Sequence, residues 1–99
     1  MSYRNRSLLN LAYELPCTLR LPCCDGGNGE PAHANWHQYG KGKSLKAHDC
    51  YFAAACRSCH RELDQGKNLS GDERIETWLR GYIETQRLLW EMGLIKVAA

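Results

Sequence analysis

The sequence predicts a small α+β domain that ends in one long helix and depends on its cysteines to hold a limited core. Three observations carry that expectation. Six cysteines stand in a chain of 99 residues, and most fall into two groups, Cys17, Cys23 and Cys24 upstream and Cys56 with Cys59 downstream. Short apolar runs lie between glycine and proline clusters, as in short strands joined by turns. The last third repeats its apolar residues at helical spacing. A chain of this length forms a single domain over residues 1–99, and small domains commonly add a metal or disulfides to their core. Within it we expect a helical segment over 1–16, a cysteine-bearing core over 17–66 and a terminal helix over 70–92.

Taken in order, residues 4–13 have helical propensity. Leu8, Leu9, Leu11 and Ala12 can cover one side, the helix needs packing to persist, and Pro16 stops it. Cys17 to Cys24 alternates apolar and polar residues and reads as a short strand, followed by the turn cluster Asp25-Gly26-Gly27-Asn28-Gly29. Ala32-His33 reads as a short extended segment and Gly40-Lys41-Gly42-Lys43-Ser44 as a basic loop. Cys50 to Ala55 is an apolar run with two aromatics and reads as a strand despite its alanines. Residues 57–65 should form a short helix that grows out of Cys56-x-x-Cys59, with Leu63 on its buried side and Gly66 at C′. Ser70-Gly71-Asp72-Glu73 is a capping box. After it, Ile75, Trp78, Leu79, Tyr82, Ile83, Leu89 and Trp90 recur at helical spacing through Met92, and Gly93 ends the helix. This stripe is expected to face a core, with Leu94 to Val97 a tail that adds a strand or covers that core.

Charge and composition narrow the classes. The formal charge is only +2, so no global field advertises a nucleic acid, but the basic residues are grouped: Arg4 and Arg6, then Lys41, Lys43 and Lys46. Local grouping matters more for phosphate contact than the total. No stretch approaches the roughly 18 apolar residues of a membrane span, so no membrane partner is expected. The first residues lead into no sustained apolar run of the secretory kind. In a reducing cytosol, closely spaced cysteines are more often metal ligands than disulfides.

Two such groups imply chemistry. Cys56 and Cys59 supply one pair of thiolates, and Cys17 with Cys24 the other, Cys23 being the alternative to Cys24. Four thiolates saturate a tetrahedral structural Zn2+ and leave no open position. Cys50, inside an apolar run, reads as a buried small hydrophobe. With the cysteines so occupied, His33 and His60 are free for other work. A metal-dependent nuclease needs a base to activate water and a divalent cation to stabilise the attacked phosphate, and neutral imidazole serves either role near neutral pH. Lys41, Lys43 and Lys46 can follow a phosphate backbone, and Arg57 and Arg61 stand beside the second cysteine pair, where they can hold a phosphate.

The order Cys17, Cys24, Ala32-His33, Asp49, Cys56-x-x-Cys59-His60 and Asp64 resembles the HNH endonucleases. More closely, it is similar to the small prophage-encoded nucleases of the YbcO type, over about Cys17 to Asp64. Cys-Arg-Ser-Cys-His-Arg-Glu-Leu-Asp is its most specific part. The resemblance implies a ββα-metal, treble-clef-like core on a four-cysteine zinc. It implies His33 as general base and His60 as ligand of the catalytic cation, Mg2+ or another divalent ion, with His37 an additional candidate ligand. The middle position of the motif is normally Asn. No Asn stands at the expected place, and Asp49 is the nearest polar candidate.

The resulting expectation is a metal-dependent DNA endonuclease of phage or prophage origin that works in the cytoplasm of a bacterial host. Its substrate would be double-stranded or branched DNA in phage DNA processing or recombination. One active centre per chain would make double-strand cutting the work of a homodimer or of two encounters. The alternative is a catalytically inactive, zinc-stabilised nucleic-acid-binding module, which the absent Asn motivates. A third reading is a structural protein that docks a partner through its last helix.

Overall fold

The first element is α1 (Arg6–Asn10), a short helix capped by the Asn5 side chain, which accepts from the Leu8 amide; a 3-10 turn over Leu11–Glu14 continues it. The computed structural model describes residues 3–42 and 45–98, so Lys43 of the basic loop lies outside the described residues. Two strands follow, β1 (Glu30–His33) and β2 (Phe52–Ala55), then α2 (Arg57–Gln65) and α3 (Gly71–Glu91). Among the described residues the architecture is α+β, with one antiparallel two-stranded sheet in which Glu30 stands opposite Ala55 and His33 opposite Phe52.

A strand of Phe-Ala-Ala-Ala runs against intrinsic propensity, and its packing explains it. Every residue of β2 is fully buried, and alternation divides them. Ala53 and Ala55 face the core with Leu19, Leu63, Trp78 and the cysteines, whereas Phe52 and Ala54 face Ala12, Leu15 and Leu89. Small side chains let other elements come close on both faces, so tertiary packing outweighs the low propensity of alanine. A Cβ on Gly29 would lie 2.7 Å from the Ala54 Cβ, and one on Gly81 of α3 would lie 3.4 Å from the Ala53 Cβ and 2.5 Å from Leu19.

β1 covers one edge of β2. On the other, Thr18 N–H and Oγ1–H both donate to the Ala54 carbonyl, at 2.8 and 2.7 Å, and the Ala54 amide donates to Thr85 Oγ1 at 2.9 Å. Threonines from two elements thus satisfy the peptide groups that a third strand would otherwise pair. Trp78 ties α3 to the sheet as well, donating its indole N–H to the Ala32 carbonyl at 3.0 Å.

Several sequence expectations need correction. Cys17 to Cys24 is not a strand. Thr18 alone attaches to β2, and the chain then coils back through Arg20 at φ +46° and a Cys24 N–H to Leu21 O bond of 2.8 Å. That path gathers sulfurs, which an extended chain would spread apart. Cys50 and Tyr51 stand outside β2, and the helix expected over 4–13 is shorter and tightens into the 3-10 turn. Gly66 closes α2 with extended backbone at φ −73°, not left-handed; the orphan carbonyls of Glu62, Leu63 and Gly66 are satisfied by the Arg74 guanidinium.

The α3 stripe is split. Trp78, Gly81, Thr85 and Leu89 are buried and Tyr82 packs beside them, but Leu79, Ile83 and Trp90 are exposed, Ile83 to 61%. A single sheet of two strands offers only a narrow surface for this helix to cover. The capping box at Ser70 and Glu73 and the left-handed Gly93 (φ +70°) are present as expected. The tail adds no strand; Leu94 and Ile95 fold back on the Leu89 carbonyl and the second core.

Candidate metal centre and histidine face

The thiols of Cys17, Cys24, Cys56 and Cys59 converge, all four Sγ atoms lying within 4.8 Å of one another. Local structure brings each of them there. Cys56 leaves β2 and caps α2, its sulfur accepting the Cys59 amide at 3.4 Å, so one helix start presents two thiols on one side. Cys17, just before Thr18, and Cys24, at the end of the coil after it, present the other two. Cys24 joins the cluster; Cys23 points away, to the Ser58 carbonyl. Cys50 is apart from it.

The donor set fits a tetrahedral soft cation. Zn–S bonds of about 2.3 Å place tetrahedral sulfurs about 3.8 Å apart, and the Cys56 and Cys24 sulfurs are 3.8 Å apart. The electrostatics agree. Burial raises the Cys17 thiol, but backbone N–H groups of Cys56, Arg20 and Leu19 outweigh it and bring the group down to about 7. Burial and then the neighbouring sulfurs push Cys59 strongly the other way. One thiolate forms readily, and further ionisation within so close a group is costly without a cation. Four such thiols can hold a metal ion such as zinc, in a closed site with no position for substrate.

Two further clusters lie at the two ends of β1, one at His33 and one at Glu30. Ala32 and Ala34 are buried, so His33 and Asn35 point outward between them. His33 Nε2 lies 2.9 Å from Asp49 Oδ1. Asp49 is 5% exposed at its side chain and is surrounded by donors: Arg4 Nη1 at 2.8 Å on Oδ1 and the Asn5 amide at 2.6 Å on Oδ2. Burial opposes its charge, but the hydrogen bond to His33, the Asn5 amide and Arg4 prevail and hold the carboxyl at about 2. An ionised Asp49 accepts, so His33 carries a proton on Nε2, and in the neutral ring Nδ1 is the acceptor. Arg4, Arg6, Leu9 and Lys46 complete the depression around them.

The depressed carboxyl gives a pH signature. The stability that Asp49 contributes is fully present above its ordinary value of 3.8 and is lost as pH falls through about 2. Asp49→Asn should therefore be less stable than the wild type by about 2 kcal/mol at neutral pH. Urea titrations down the acid limb should show that gap closing between roughly pH 4 and pH 2; a gap that stays constant would contradict the ion-paired Asp49.

The second cluster sits on α2. His60 Nδ1 is 2.8 Å from Glu30 Oε1, and its Nε2 is 3.2 Å from Asp64 Oδ2, one helical turn on. Asp64 in turn accepts from Asn35 Nδ2 at 2.9 Å. The hydrogen bond to Asp64, followed by that to Glu30, raises His60 above the ordinary imidazole value against its burial. Arg57 and Arg61 are exposed beside it and line the same shallow pocket with Glu30, His60 and Asp64.

The expected site residues thus fall out as follows. His33 and Asp49 are brought together, and so are the four cysteines. His60 stands in its own cluster, joined to the first by the stretch His33-Ala34-Asn35. Arg57 and Arg61 flank His60, and Lys46 flanks His33. His37 opens a separate 3-10 turn (His37–Tyr39), exposed and in neither cluster. Lys41 lies in neither depression. Trp36 packs on Trp78 and Tyr39, with ring centroids 5.6 and 6.3 Å away.

The sequence does not point to Glu30 or Asn35, and it places Arg4 in a basic group without its carboxylate partner. Glu30 was visible only as an acid in the strand that carries His33. Nothing local couples Arg4 to a carboxylate 45 residues away.

No protein-family model matches the chain, and no curated protein sequence does. The chain is similar to a solved structure described as a "putative bacteriophage protein" from Escherichia coli str. K-12 substr. MG1655. The two are 27% identical with a TM-score of 0.61, over 85% of this chain and 96% of that one. Among the described residues, no helix is long and apolar enough to cross a membrane.

Proposed function

We propose that the protein is a divalent-cation-dependent DNA endonuclease that hydrolyses phosphodiester bonds, with its place in phage DNA processing or recombination. The observation that carries this reading is a pair of imidazole–carboxylate clusters at the two ends of β1: His33 on Asp49, and His60 on Asp64 and Glu30. The similarity to a bacteriophage protein supports the biological setting, and the ββα order of β1, β2 and α2 supports the likeness to HNH enzymes.

In this reading Asp49 holds the Nε2–H of His33, and Nδ1 takes a proton from the attacking water. Arg57 and Arg61 hold the phosphate and offset its growing negative charge. His60 and Asp64 are the cation ligands. Their N and O donors lie 3.2 Å apart at Nε2 and Oδ2 and would together hold a divalent cation, the carboxylate suiting Mg2+ or Mn2+ and the imidazole a transition metal. Glu30 on Nδ1 is the outer carboxylate that fixes the tautomer of a ligating histidine. When bound there, the cation supplies positive charge to the phosphate and the leaving oxygen. The cysteines, with zinc, fasten the start of α2 so that His60 is rigidly placed.

Supercoiled, linear and branched DNA incubated with Mg2+, Mn2+ or Ni2+ test this reading. Cutting that EDTA abolishes is the expected result. The rival reading, a zinc-stabilised nucleic-acid-binding module, is favoured by one observation: both ring nitrogens of His60 are already held by carboxylates. Salt-sensitive DNA binding with no cutting in any of the three cations would select it.

A further inference from the structure

The segment before α1 is firmly anchored. Arg4 donates to three acceptors: the Lys46 carbonyl at 2.7 Å, the Ala47 carbonyl at 2.8 Å and Asp49 Oδ1 at 2.8 Å. On either side of it, the Tyr3 amide donates to His48 Nδ1 at 2.8 Å and the Asn5 amide to Asp49 Oδ2 at 2.6 Å. The Asp49 amide returns the contact, donating to the Tyr3 carbonyl at 3.0 Å. All of these bonds join Tyr3–Asn5 to Lys46–Asp49, the segment that presents a carboxylate to His33. Neither stretch belongs to a helix or strand, so each is fixed by the other.

We propose that Tyr3–Asn5 is a working part of the histidine site, and that Arg4 is a positioning residue that sets the orientation and basicity of His33 through Asp49. The inference rests on reading His33 as the base. Its physical content is a three-member chain, guanidinium to carboxylate to imidazole, with Arg4 and His33 sharing the same oxygen, Oδ1. An ionised carboxylate facing only an imidazole would stabilise the imidazolium and keep the base protonated. Arg4 neutralises much of that charge and itself disfavours a cation on His33. The charged groups that face His33 are Asp49, Arg4, Arg6 and Lys46; of the three cations, Arg4 is the one hydrogen-bonded to the carboxylate. Arg4 is thus the cation placed to offset the Asp49 carboxylate at His33.

The test is the titration of His33 followed by NMR in the full-length, zinc-loaded protein. Arg4→Gln retains hydrogen-bond donors but loses the charge, and should raise the His33 pKa by about half a unit to one unit. Arg4→Lys keeps the charge and should hold the pKa near that of the wild type, though it cannot reproduce the fork. His37, remote from Asp49, serves as the internal reference. In cleavage, Arg4→Gln should shift the low-pH limb of kcat upward by the same amount and leave KM within about twofold. An unchanged His33 titration in folded Arg4→Gln would overturn the proposal, as would a uniform loss of rate at all pH values. The two readings fail separately: a wild type that cuts no DNA removes His33 as base, whereas the NMR shift still decides whether Arg4 controls it.

Discussion

Cys59→Ser is expected to lose bound metal and the folded state together. Cys59 is fully buried among Cys17, Cys24 and Cys56, and it is the residue through which α2 is fastened to the coil after Thr18. Metal binding in small structural sites is itself folding free energy, with apparent values of about 10 kcal/mol or more for zinc. A domain of this size has only about 5–15 kcal/mol of net stability in all. Losing one of four ligands, and burying a hydroxyl in its place, should therefore unfold the chain at room temperature. Metal analysis with far-UV circular dichroism reads both effects. Strong chelation of the wild type should produce the same unfolded spectrum. Cys23→Ser and Cys50→Ser are the controls, since neither sulfur joins the cluster; each should keep its metal and melt within a few degrees of the wild type. A fully folded, metal-free Cys59→Ser would remove the cysteine staple.

His33→Ala should leave fold, zinc and DNA affinity intact and reduce cleavage by about 10²- to 10⁴-fold, the range in which a positioned general base contributes. The side chain stands on an outward position of β1 at 15% exposure, held by Asp49 rather than by the core. Its removal leaves Asp49 with two donors, Arg4 and the Asn5 amide, so the cost to stability should be small. Plasmid nicking measured beside a binding isotherm separates the two quantities. Wild-type nicking by His33→Ala would exclude this imidazole as the base. Lost binding without a matching kcat effect would make it a phosphate contact.

The parts of this fold with local signatures were legible in the sequence. The capping box at Ser70, the helix Arg57–Gln65 and the extended Ala32-His33 depend on nearby residues, and they stand where those residues put them. Cys24, followed by Asp25-Gly26-Gly27, was distinguishable from Cys23 by its turn, and it is the member of the cluster. The parts decided by distant packing were not legible. The coil from Cys17 to Cys24 imitates a strand in its alternation but is bent by the sulfurs it must deliver. The stripe on α3 is divided because the sheet beneath has only two strands, which no pattern within the helix reveals. The same limit hides the site partners. Glu30 meets His60 across 30 residues and Arg4 meets Asp49 across 45. Asp49, chosen as the nearest polar stand-in for an absent Asn, lies against His33 because the segment before α1 pins it there.

The most direct test is nicking of supercoiled plasmid in Mn2+ by the zinc-loaded wild type and by His60→Ala, side by side at equal zinc content. The wild type should convert the plasmid to open circles in a reaction stopped by EDTA, and His60→Ala should not, with the metal content of its cysteine cluster unchanged. Equal cutting by both proteins, or none by either, would contradict a catalytic cation held at His60 and Asp64.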